Sequence, residues 1–129
     1  MAIRQNVFSN LVVNVGSTFQ KTLDIRNEDG TVPDLTNYYA FCSAQRSFHS
    51  GADKFNFTAQ IVSPSLTSGK ILLSISAKDS LDIRPGRYVY QLKLSPTNLG
   101  ATGFSSGTVV YTAYEGNILV NSDVVFSLN

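Results

Sequence analysis

The chain has no tryptophan, one cysteine, one histidine and one methionine. A single cysteine, Cys42, forms no internal disulfide framework, and a single histidine, His49, removes most zinc and triad chemistry. Charge is scarce as well: 15% of residues are charged, and ten Lys and Arg against nine Asp and Glu leave a net charge of +1. Nucleic acid is therefore not an expected partner, because phosphate neutralisation needs a basic excess. Long apolar runs are missing too, and the start MAIRQNVFSNLVVNVGS lacks the continuous stretch of a signal peptide or a membrane span. An aqueous compartment, no membrane and no cofactor are the expectations. No stretch of twelve residues places apolar positions three and four apart, so no long amphipathic helix is expected.

What is present is period-two alternation. The 129 residues, 43% hydrophobic, suit one domain over residues 1–129 that buries enough surface to need no staples. Strands are expected over Leu11–Val15, Thr18–Ile25, Tyr38–Arg46, Phe55–Ser63, Lys70–Ser76, Arg87–Ser95, Thr108–Tyr114 and Ile118–Phe126. Lys21 interrupts the inward face of the second and marks it as an edge. Asp29-Gly30 signals a tight turn, Ala77–Leu81 is the one helical turn, and Glu115-Gly116-Asn117 reads as a turn between the last two strands. Seven to eight short strands at this spacing predict an all-β fold, an immunoglobulin-like antiparallel β-sandwich. Tyr88, early in a late strand after Arg84-Pro85-Gly86, is expected to form a tyrosine corner.

Several segments then resemble a known group. Glu28-Asp29-Gly30-Thr31-Val32-Pro33-Asp34-Leu35-Thr36-Asn37-Tyr38 is similar to the DG-polar-P-DLTGY stretch of small β-sandwich virion structural proteins from tailed bacteriophages. Gly69–Ser76 and Pro85–Leu92 look like their GkiiLsls and PGrYvYdle segments, and Tyr114–Val124 resembles their closing EGkvtVspeVT. The group includes the amino-terminal domain of phage baseplate upper proteins. The resemblance implies a non-enzymatic virion protein that binds other phage virion proteins, located in the particle. Capsid decoration or cement, neck, tail and baseplate all remain open as its place, as does a homo-oligomer. The chain departs from the group at Asn37, where glycine is usual, and in the long Pro96–Gly107 loop.

The residues that carry chemistry have plainer readings beside the sharp ones. Cys42 lies mid-strand, where a free thiol serves as a small buried hydrophobe. Glu28, Asp29 and Asp34 cluster at a turn without the ligand spacing of a calcium loop, so turn-forming carboxylates are expected. Gly100–Gly107 lacks the lysine and following helix of a phosphate loop. Apolar content at both ends is less usual: residues 1–10 either complete the protein's own sheet or act as an arm that pairs with a neighbour. The expected interaction residues are Ile3, Val7, Phe8, Phe48, His49, Phe104, Val124 and Phe126. A carbohydrate-binding or host-adhesion module, built on an exposed aromatic patch, is the alternative; a hydrolase is disfavoured by the lone histidine and the absence of an acid pair.

Overall fold

The alternating segments become strands in the structure, a computed structural model that describes residues 3–46, 53–62, 69–96 and 109–122. In chain order these are β1 (Val7–Phe8), β2 (Leu11–Asn14), β3 (Phe19–Asp24), β4 (Tyr39–Gln45), β5 (Lys54–Ile61), β6 (Lys70–Ile75), β7 (Gly86–Ser95) and β8 (Tyr111–Asn121). One helical turn, α1 (Ala77–Ser80), links β6 to β7. The protein is all-β. Neighbours run β1-β8-β7-β4-β5-β6-β3, with β2 also paired to β8. Lys21 thus lies on an edge strand, β3, as its place in the pattern requires.

The sheet curls at β5. Residues Lys54 to Phe57 pair with β4, whereas Thr58 to Ile61 pair with β6, so one strand serves two leaves. The curl brings the ends of the strand path together: the Tyr114 hydroxyl on β8 donates to the Asp24 carbonyl on β3 at 2.5 Å, and Ile3 bridges Asn27.

The inward faces fill the space between. Ile71, Leu73 and Ile75 of β6 face Tyr88, Tyr90, Leu92 and Leu94 of β7 together with Ile118 and Val120 of β8, all buried. Rings stitch the leaves, with Phe57 of β5 lying 5.3 Å from Phe19 of β3, 5.4 Å from Phe55 and 6.5 Å from Tyr90. Such pairs contribute about 0.5–1.5 kcal/mol each beyond their buried area. Cys42 is buried on the same face of β4.

Local chemistry fixes the links. Gly30 takes φ 88° in the turn after Asn27, where Gly30 N–H donates to the Asn27 carbonyl at 2.9 Å. Asn37, the departure from the phage group, has φ 69°, a region that glycine favours and asparagine tolerates. Ser76 caps α1 by accepting from Asp79 N–H at 3.1 Å, and buried Ser80 accepts from Gly16 N–H at 2.8 Å, tying the helical turn to the β2–β3 link. The tyrosine corner forms as expected, the Tyr88 hydroxyl donating to the Arg84 carbonyl at 2.8 Å. The Arg46 guanidinium lies 5.1 Å from the centre of the Tyr88 ring and donates to the Pro85 carbonyl at 3.1 Å. A Cβ on Gly86 would strike that guanidinium.

Three expectations are corrected. Glu115-Gly116-Asn117 is no turn but the middle of a continuous β8, paired with Gln91, Tyr90 and Val89. The irregularity sits earlier, between Leu92 and Lys93, where pairing jumps from Tyr114 to Thr112 and leaves Ala113 as a bulge. Second, β1 and β2 run parallel to β8 rather than antiparallel, because the chain start returns to the far side of the last strand. Third, Ile3 is no interaction residue: it is 2% exposed, its side chain spent on the core.

Candidate functional site

Among the described residues the one thiol is not poised for nucleophilic chemistry. Burial pushes the Cys42 thiol up to about 12, so it stays neutral at physiological pH and makes a poor nucleophile. Tyr90 is also raised to about 12, by burial first and the neighbouring Cys42 second, with its hydrogen bond to Ser9 opposing. The turn acids are occupied locally. Asp29 accepts from Thr31 N–H at 3.0 Å and from the Thr31 hydroxyl, and Asp34 accepts from Thr36 N–H at 2.9 Å. Those bonds hold both carboxyls below the usual carboxylate range. The turn-forming reading of these acids stands.

The surface feature with most to offer lies along the start of the chain. From Val7 to Asn14 the backbone follows β8 in steady parallel register, Val7 beside Tyr114 and Asn14 beside Asn121. Alternation then decides what each residue does. Leu11, Val13 and Val15 are buried, while Phe8 and Val12 point outward, 63% and 53% exposed. Leu119, directly opposite Val12, is 40% exposed and completes a short apolar stripe on the outer face. A shallow depression of about 260 Å³ beside Phe8 extends this face over Val89, Gln91 and Asn117.

Amide side chains fasten the strand. Gln5 Oε1 accepts from Thr112 N–H at 3.1 Å, Asn10 Oδ1 from Asn117 N–H at 3.3 Å, and Asn121 Nδ2 donates to Asn14 Oδ1 at 3.0 Å. Asn6 Nδ2 reaches Glu115 at 3.2 Å. Gly116 is the key to the middle of this seam. Its missing side chain lets the Ser9 backbone lie against β8, where Ser9 N–H donates to Glu115 O at 2.9 Å and Ser9 O accepts from the buried Tyr90 hydroxyl at 2.7 Å. A Cβ at Gly116 would overlap Ser9 O and C.

A second surface lies where β5 leaves β4. Tyr38, Tyr39 and Phe41 border a groove of about 350 Å³ floored by Leu35 and closed by Ala59 and Ile61. Tyr39 is 44% exposed.

Of the residues singled out from sequence, Val7 and Phe8 stand together on the seam, with Val7 half-buried. Ile3 is in the core, and Phe48, His49, Phe104, Val124 and Phe126 lie outside the described residues. Val12 and Leu119 were missed. For Val12 the signal was available, since it follows Phe8 by four residues on the same face of an alternating segment. Leu119 needed the register with β8.

No family model matches the chain, and no curated protein matches it. Among solved structures, a family 123 glycoside hydrolase from Clostridium perfringens, described for glycolipid glycan hydrolysis, aligns with a TM-score of 0.39 and 11% identity. The alignment covers 94% of this chain and 24% of that one. A likeness this loose carries no argument about fold or activity.

Proposed function

We propose that the protein is a non-enzymatic structural component of a tailed phage particle that binds other virion proteins through its sheet edge. The observation that carries this reading is the exposed apolar pair Val12 and Leu119 on the outer face at a sheet edge, with exposed Phe8 beyond the intervening Asn10 and Asn117. Exposed edges and contiguous apolar patches are where proteins associate, and repetition on a symmetric lattice turns weak contacts into firm attachment. The sequence resemblance supports the phage assignment. Its segments fall on the turn at Asn27–Gly30, the tyrosine corner at Tyr88 and the β7–β8 pairing. The immunoglobulin-like kinship of the curled sheet belongs to the same proposal, supported by that corner and by the handover of β5 between leaves.

The test is quantitative mass spectrometry of particles purified from the phage that encodes the chain. A copy number near that of the major capsid protein, or one per capsomer, assigns it to the shell; a few to a few dozen copies assign it to neck, tail or baseplate. Complete absence from the particle overturns the proposal.

The groove beside Tyr39 favours a second reading, a carbohydrate-binding module, because exposed rings stack on sugar faces. A glycan array with the wild type and Tyr39→Ala separates the two: binding that disappears with the ring supports the module, and a blank array removes it.

A further inference from the structure

The closure that joins the two ends of the sheet also sets two arginines side by side. Ile3 bridges Asn27 in antiparallel sense, and one residue along, Arg4 N–H donates to the Arg26 carbonyl at 2.8 Å. Arg4 and Arg26 are therefore cross-strand neighbours, and like charges so placed destabilise a sheet unless something anionic lies between them. Among the described residues neither arginine has an ion pair, and the acid at this end, Asp24, is already held by Lys70 at 3.4 Å. Both residues line a pocket of about 220 Å³ with Val7, Asp24, Ile25, Ala113 and Tyr114. Both act on the Tyr114 hydroxyl from close by, opposing the rise that burial and then Asp24 impose on it.

We propose that this pocket is a site for one carboxylate, presented by an Asp or Glu side chain of a neighbouring protein. The volume is below that of pockets for drug-sized ligands and suits a single side chain. Planar guanidinium forks match the two oxygens of a carboxylate. A net charge of only +1 leaves no wider basic field to hold a phosphodiester chain. The source of the carboxylate rests on the proposed function, since it supposes a protein partner; the anion chemistry of the pocket does not.

The whole chain, labelled with nitrogen-15, is titrated at low salt with a blocked Ala-Glu-Ala peptide, with its Ala-Gln-Ala counterpart and with inorganic phosphate. The Glu peptide is expected to shift the Arg4 and Arg26 side-chain Nε–H signals and the Tyr114 amide saturably, and the Gln peptide to leave them still. Arg4→Gln and Arg26→Gln are each expected to weaken the Glu peptide about tenfold, as for loss of one charge-assisted hydrogen bond. Lys21→Gln, on β3, is expected to change nothing. Circular dichroism of each variant confirms that the fold is kept. Equal shifts with the Gln peptide, or wild-type titrations in both arginine variants, overturn the site. Phosphate saturating far below the Glu peptide overturns the carboxylate assignment. Absence from purified particles with the titration intact removes the phage reading alone, while presence in particles with a failed titration removes the pocket alone.

Discussion

Gly116→Ala isolates the seam between the chain start and β8. An alanine in a strand ordinarily adds stability over glycine, by about 0.4–1 kcal/mol through the unfolded chain. Gly116 shows no positive φ to complicate that expectation. The sign should nevertheless reverse, because the new methyl overlaps the Ser9 carbonyl. Ser9 can retreat only by giving up its 2.9 Å bond to Glu115 O and the 2.7 Å bond it accepts from Tyr90. The Ser9–Glu115 bond at about 1 kcal/mol and a buried Tyr90 hydroxyl left unsatisfied at about 1–3 kcal/mol, less the gain from alanine, give a net loss of about 2 kcal/mol. That is a large share of a typical domain stability of about 5–15 kcal/mol, and it lowers Tm by about 7 °C. Urea unfolding followed by circular dichroism measures it, with amide exchange at Ser9, Leu11 and Val13 reporting whether the strand has loosened. Tyr90→Phe removes the hydroxyl alone and should cost about 1 kcal/mol; in that background Gly116→Ala should cost less than in the wild type, because the hydroxyl penalty is already gone. A Gly116→Ala variant as stable as the wild type, or more stable, refutes the packing of Ser9 over β8.

Other perturbations test other parts. Tyr88→Phe removes the corner bond to the Arg84 carbonyl and should cost about 1 kcal/mol in urea unfolding with little change in the native fold. Cys42 and Tyr90 have folded pKa values of about 12, above their ordinary 9.0 and 10.0, so the stability they contribute is complete below pH 9 and is lost progressively as pH rises to about 12. Unfolding midpoints between pH 8 and 12 should fall accordingly, and Cys42→Ala should flatten the start of that decline. A thiol reagent at neutral pH should label Cys42 only at the rate of unfolding, and fast labelling would contradict its burial. Arg26→Gln should raise Tm by about 1–2 °C at low salt and by less at high salt, since it removes one of two opposed like charges.

What the sequence revealed was whatever depends on local pattern. Ile71, Leu73 and Ile75 announce their inward face by alternation, and Tyr88 announces its corner by following Pro85-Gly86. Lys21 marks an edge because a charge on an apolar face fits nowhere else. The Glu115–Asn117 error has a physical origin: a glycine between polar residues is the usual sign of a turn, yet Gly116 is where the Ser9 backbone of the neighbouring parallel segment lies too close for a side chain. That demand comes from Ser9, more than a hundred residues away in sequence, and no local window contains it. The same distance hid the parallel seam and the exposure of Leu119, and the juxtaposition of Arg4 with Arg26, though nearer in sequence, also falls outside any local window. Each depends on which strand returns to which edge.

The two edges of the sheet are treated differently, and the difference bears on where a partner attaches. At β3 the exposed residues are Gln20, Lys21, Thr22 and Asp24, with Lys21 on the otherwise inward face, where another strand would have to desolvate it in order to pair; such charges keep sheet edges unpaired. At the chain start the outward residues Phe8, Asn10, Val12 and Asn14 include no charge, and the amides of Asn10 and Asn14 are turned onto β8 to hold the strand in register. The seam is thus strengthened toward its own sheet, and its outer face exposes Val12 beside Leu119 with Glu115 next to Phe8 and Arg87 next to Leu119. A surface selected only for solubility would place a lysine at Val12 as it does at Lys21. Val12→Lys would put a charge on that exposed face, and under the proposed function it should weaken incorporation into particles while leaving the fold intact by circular dichroism.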